Sequence, residues 1–165
     1  MRYGQEISMS AKTVAPLAHV HRVPHEPPED WEYSLQLPHD PRGPRIARST
    51  VRTVLAEHGL GDLADRAELL TSELATNAFR YSDGQTAVRL KWREGMLRVS
   101  VWDTSPSRPA PVIAGPQSES GRGLLLLSLI ADDWGILDLE KGHPAVGGKV
   151  VWFTLCRPVL RTGTL

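Results

Sequence analysis

One segment restricts the fold more than any other. Leu63, Ala67, Leu70, Leu74, Ala78 and Tyr81 recur at intervals of four, three, four, four and three residues. This spacing holds apolar side chains on one stripe of an α-helix of about five turns and does not fit a strand, whose period is two. Asp62 stands in front of it as an N-cap candidate. Two alternating runs follow, Val88, Leu90, Trp92 and then Leu97, Val99, Val101, joined at Glu94-Gly95, which predicts a hairpin. A long amphipathic helix beside a hairpin must bury its stripe on the sheet, so the expected fold is a two-layer α/β (α+β) sandwich. Its sheet should be mixed and mostly antiparallel, with the helices on one face.

The flanking segments extend this plan. Trp31, Tyr33, Leu35 and Leu37 alternate with polar residues and stop at Pro38, which predicts a strand. Asp40-Pro41 opens a helix to about His58, ended by Gly59. Residues 104–120 hold four prolines, four serines and one glycine without any period, a long irregular loop of the kind that is usually functional or mobile. Leu124–Ala131 reads as a helix, and Trp134–Leu139 and Val150–Leu155 as strands separated by a glycine-rich turn. Residues 1–30, with Pro24, Pro27 and Pro28 among acidic side chains, read as a flexible tail, residues 31–156 as the domain, and 157–165 as a short C-terminal tail. His19, His21 and His25 in the first tail lack partners at metal-ligand spacing and read as solvated.

Charge narrows the function classes. The 19 basic and 19 acidic residues cancel, which argues against the basic footprint that direct nucleic-acid binding needs, and against anchoring on an anionic membrane. Cys156 is the single cysteine, so disulfide and structural-zinc chemistry are disfavoured. Leu124–Ile130, the longest apolar run, is far short of the roughly 20 residues of a membrane-spanning helix, and the expected setting is cytoplasmic. Arg42, Arg45, Arg48 and Arg52 recur at helical spacing, either as a solvated face or as a surface for an acidic partner.

Four places could carry chemistry. Glu73 and Asn77 are four residues apart, so they project from one face of the long helix, at the edge of its buried stripe. Such pairs also occur on most amphipathic helices as plain boundary residues. Asp103 shares parity with Leu97, Val99 and Val101 and therefore points inward at its strand end, where it must find donors, whether in a turn or in an exocyclic amine such as that of adenine. Gly121 and Gly123 precede an apolar helix, where unpaired N–H groups can hold phosphate, though glycines also merely end loops. Neither a dinucleotide fingerprint nor a P-loop is present; Gly147-Gly148-Lys149 lacks the earlier glycine and the following Ser or Thr.

The order of these pieces is more specific than any one of them. Glu73-Leu-Ala-Thr-Asn77-Ala78, Val101-Trp-Asp103 and Gly121-Arg-Gly123-Leu124 resemble the N, G1 and G2 boxes of the ATPase superfamily shared by DNA gyrase B, heat-shock chaperones, histidine kinases and MutL. With Trp134-Gly135 and Gly147–Phe153, the chain over residues 31–155 looks most like the small anti-sigma-factor serine kinases and their actinobacterial relatives. The resemblance implies ATP and Mg²⁺ as cofactors. It implies Mg²⁺ coordination by Asn77, an adenine pocket floored by Ala78 and read by Asp103, and phosphates wrapped by Gly121, Arg122, Gly123 and Leu124. Arg80 would be a further phosphate contact and Glu73 the general base. The implied partners are a sigma factor and an anti-anti-sigma (STAS-type) antagonist, and a homodimer is implied as well. One departure is plain: the G1 box ordinarily reads Asp-x-Gly-x-Gly, whereas Asp103-Thr-Ser-Pro-Ser107 has neither glycine, which puts backbone approach to the nucleotide in doubt. The same departure motivates an alternative, a partner-sequestering module whose nucleotide site is degenerate or structural.

Overall fold

A computed structural model describes residues 29–105, 119–139 and 147–157. The element order is β1 (Trp31–Leu37), α1 (Gly43–Glu57), α2 (Gly61–Tyr81), β2 (Thr86–Arg93), β3 (Met96–Asp103), α3 (Glu119–Ile130), β4 (Asp133–Asp138) and β5 (Lys149–Cys156). The strands form one five-stranded sheet in the order β1-β2-β3-β5-β4. Every pairing among them is antiparallel. With its helices, this is an α+β sandwich.

The register explains how the layers join. Trp92 pairs with Leu97, Leu90 with Val99 and Val88 with Val101, and these β3 residues pair in turn with Leu155, Phe153 and Val151. All nine are buried in one cluster with Leu63, Ala67, Leu70, Leu74 and Ala78 of α2. Each fully buried Leu or Val stabilises by roughly 1.5–3 kcal/mol, so this face dominates the energetics. The other face of the hairpin carries Arg89, Lys91, Arg98 and Ser100, as strand alternation requires. α1 packs along α2, its buried residues being Gly43, Ala47, Val51 and Leu55, and its C-cap His58 stacks on Trp31 of β1.

Some predicted boundaries shift for identifiable reasons. α1 starts at Gly43, not at Pro41, because Asp40 caps the turn before the helix. Its Oδ1 accepts from the Arg42 backbone N at 2.8 Å, and the Arg42 guanidinium closes the fork on both carboxylate oxygens. Those hydrogen bonds hold the Asp40 carboxyl well below the usual carboxylate range. Asp62 is not the cap of α2 either; it lies in the first turn, where its charge complements the helix dipole and meets Arg157 Nε at 3.2 Å. Tyr81 ends α2 exposed, while Ala64, Thr71 and Ala75 widen the buried face. β4 and β5 each begin one residue early. No helix among the described residues is long and apolar enough to cross a membrane. The tail histidines and residues 106–118 of the predicted loop lie outside the described residues.

Candidate nucleotide site

The site begins on α2. Glu73 and Asn77 lie on the side of α2 that meets α3 and are half-buried, at the margin of the apolar stripe as the sequence predicts. Gly123 sits directly against them: a Cβ built there would lie 2.8 Å from Asn77 Nδ2 and 3.9 Å from Glu73 Cβ. A side chain at 123 would therefore push Asn77 aside. The carboxamide of Asn77 is therefore packed against Gly123, and it carries the oxygen donor that a hard cation takes.

The surroundings of Gly123 differ from the prediction. The helix was expected from Leu124, with Gly121-Arg122-Gly123 as the loop ahead of it. In the structure α3 begins at Glu119, so the three residues form its opening turns. The reason is physical: without positive-φ geometry demanded at 121 or 123, a glycine in a helix costs only about 1 kcal/mol relative to alanine, and the buried Leu124 and Leu127 downstream hold the helix on the core. The first N–H groups of α3 thus lie at the edge of the undescribed 106–118 segment. Arg122 is exposed on this turn.

The second half of the site is the end of β3. Asp103 is only 3% exposed and, as parity required, faces the helices. Its Oδ1 accepts two hydrogen bonds, one from the Ser105 backbone N at 2.8 Å and one from Lys149 Nζ at 3.0 Å. Lys149 is itself buried, and it is the cross-strand partner of Asp103. Gly148 makes this junction possible, with φ +87 and a would-be Cβ 2.1 Å from the Asp103 carbonyl oxygen. Across the other edge, Ser82 Oγ and Thr104 Oγ1 are 2.7 Å apart, and Ser82 N donates to the Ala78 carbonyl at 3.1 Å. The turn after α2 is thereby fastened to the residue after Asp103, and the buried Ala78 shares this corner.

Glu73, Asn77 and Gly123 are brought together, and Asp103 and Ala78 are tied through Ser82 and Thr104. No hydrogen bond or ion pair joins the two groups among the described residues. Arg80 is exposed at the last turn of α2. The residues fit a magnesium nucleotide on two counts: a half-buried carboxamide oxygen donor set against a glycine, and a buried carboxylate able to accept from a base amine.

Comparison with known proteins decides the family. The model of the family described as histidine kinase-like ATPase domain matches residues 37–155. The chain belongs to that family. Membership makes it an ATP-binding domain, and Asn77, Asp103 and Gly123 all fall inside the matched span. A search of curated proteins finds no match to the chain.

Lys149 is the main residue that the sequence reading missed as part of the site. The signal was present: it shares strand parity with Val151, Phe153 and Leu155, so its side chain had to enter the buried face. Among the described residues no group of three or more His, Cys, Asp or Glu side chains is arranged around a metal position.

Proposed function

We propose that this histidine kinase-like ATPase domain protein is an ATP- and Mg²⁺-binding regulator. It phosphorylates a serine or threonine on an anti-anti-sigma (STAS-type) antagonist and binds a sigma factor by partner switching. One observation carries the catalytic part: Glu73 stands one turn from Asn77, both against Gly123. ATP with Mg²⁺ supplies the phosphoryl group and the neutralisation of its oxygens. Asn77 would hold the metal through its amide oxygen, Asp103 would accept from the base amine, and Ala78 would floor the base pocket. The first turn of α3, whose N–H groups have no intrahelical acceptor, presents them to the phosphates. Glu73 takes the proton from the partner's hydroxyl, a general-base role that typically contributes 10²–10⁴-fold. The partner's serine and its sigma factor rest on the resemblance to the anti-sigma-factor kinases, as does a homodimer.

Incubation with ATP and the cognate antagonist, followed by mass spectrometry for phosphoserine, tests the kinase. Transfer from the unaltered protein and its loss in Glu73→Ala are expected. No transfer, or equal transfer from the variant, overturns the catalytic reading.

One observation favours a second reading, a module that sequesters a partner without catalysis. Asp103 is already engaged by Lys149 and by the Ser105 N–H, and its loop carries no G1 glycine. Calorimetry in which a partner binds while ATP does not would select it.

A further inference from the structure

The buried cluster joins the helices to one face of the sheet, and among the described residues no element covers the other. Strand parity fixes what stands on that open face. Lys91 of β2 and Arg98 of β3 are direct cross-strand partners there, two like charges whose apposition destabilises a sheet. Glu32 of β1 answers part of this charge: it binds Arg89 at 2.6 Å and reaches Lys91 at 4.0 Å. Arg98 has no acidic partner among the described residues. Its guanidinium lies over the Trp152 ring, 4.0 Å from the centroid, and that ring lies across Gly135, where a Cβ would come within 2.8 Å of it. Trp152 is thus a floor that holds a planar fork of N–H donors in place, and the fork is unspent. Beyond it the face turns apolar. Trp102 pairs with Val150, and Val150 with Leu137, which is 55% exposed.

We propose that this open face is the docking site for an acidic amphipathic helix of a partner protein. The proposal does not depend on the nucleotide site. Charge selects an acidic ligand, since the face holds cations in repulsive register with one acid to offset them, and a stacked arginine offers a carboxylate two parallel hydrogen bonds. Dimensions select a helix. From Ala87 to Arg93, β2 runs about 20 Å, the length of roughly 13 helical residues. From β2 across β3 and β5 to β4 is about 14 Å, against a helix diameter of about 10–12 Å. A helix laid along β3 meets Lys91 and Arg98 with one side and Val150 and Leu137 with the other, which requires carboxylates on the first side and aliphatic residues on the second. Single-stranded nucleic acid fits less well, because its bases need a free aromatic face and the Trp152 ring is already taken by Arg98.

Fluorescence anisotropy of the full chain with a labelled, covalently stapled helix of about 14 residues, glutamate along one side and leucine along the other, tests this. Binding is expected. It should weaken at least about tenfold in Arg98→Glu, the effect of losing a charge-assisted fork, and stay unchanged in Arg45→Glu, an exposed arginine of α1. Probes with lysine for glutamate, or serine for leucine, should each bind at least about tenfold more weakly. No binding of the first probe by the folded protein, equal loss in both variants, or no loss in a folded Arg98→Glu overturns the proposal. Equal binding of the serine probe overturns it too, since the apolar half of the face then plays no part. So does a labelled oligothymidylate that binds more tightly than the peptide and is lost in Arg98→Glu, which assigns the face to nucleic acid. Should Arg98→Glu fail to fold, Lys91→Glu takes its place with the same expected loss.

Discussion

Gly123 and Gly148 are both tightly enclosed, yet the structure separates their roles. At Gly123 the atom in the way is the tip of a side chain, Asn77 Nδ2, and the backbone is helical. Gly123→Ala should therefore fold as well as the parent, since alanine in a helix gains about 0.5–1 kcal/mol over glycine. The displaced amide should cost at least about tenfold in Mg-ATP affinity, because the change moves the Asn77 carboxamide, the proposed oxygen ligand of the metal, and leaves the fold intact. At Gly148 the atom in the way is the Asp103 backbone oxygen and φ is +87. There a side chain meets left-handed strain of about 1–2 kcal/mol and a clash of about 1–3 kcal/mol. Gly148→Ala should lose about 2–5 kcal/mol in urea unfolding, and Gly123→Ala should lose none. The sequence showed both glycines but could not tell them apart, since the distinction lies in what crosses over them from a distant segment. Lys149 was hidden for the same reason: its partner is 46 residues away.

Among the helices, the paired faces of α1 and α2 show what periodicity can and cannot reveal. The arginine stripe was open to two readings, solvated face or acidic partner. Much of it is answered inside the chain. Arg48 reaches Glu68 at 3.4 Å, and Arg52 binds both Glu68 and, at 2.6 Å, Asp65. Hydrogen bonds to Asp65 and then Glu68 hold the Arg52 guanidinium even above its ordinary range. Arg42 is taken by Asp40, which leaves Arg45 as the member without a partner among the described residues. These are exposed pairs, so Arg52→Ala should cost no more than about 1 kcal/mol, measured by thermal unfolding, and the cost should shrink at 1 M salt, where screening is within about 3 Å. The hairpin was legible almost residue by residue because alternation and the Glu94-Gly95 turn act locally, and Glu94 does adopt φ 51 with Gly95 at φ 80. The start of α3 was not, because glycines and serines ahead of Leu124 carry no apolar period, and helix there depends on docking against α2.

The two halves of the site belong to different layers, and that division makes a prediction about the protein as one cooperative unit. Asn77 and Gly123 are held between α2 and α3, whereas Asp103 and Lys149 are held by the sheet. A nucleotide spanning both would cross-link helix layer to sheet and bind the native state alone. Ligand at a hundredfold above its dissociation constant then adds about 2.7 kcal/mol to unfolding. For a chain of 165 residues that is a rise of about 5–10 °C in Tm. Calorimetric scans should show the rise with Mg-ATP and its loss on chelation of Mg²⁺. Glu73→Ala should keep most of it, because in its proposed role Glu73 acts on the partner's hydroxyl and holds neither metal nor base, while Asn77→Ala should abolish it. If Glu73→Ala loses the stabilisation along with Asn77→Ala, the carboxylate is part of the binding framework and its assignment as the base fails. If neither variant changes the rise, the nucleotide is held without the α2 residues, and the site lies elsewhere in the fold.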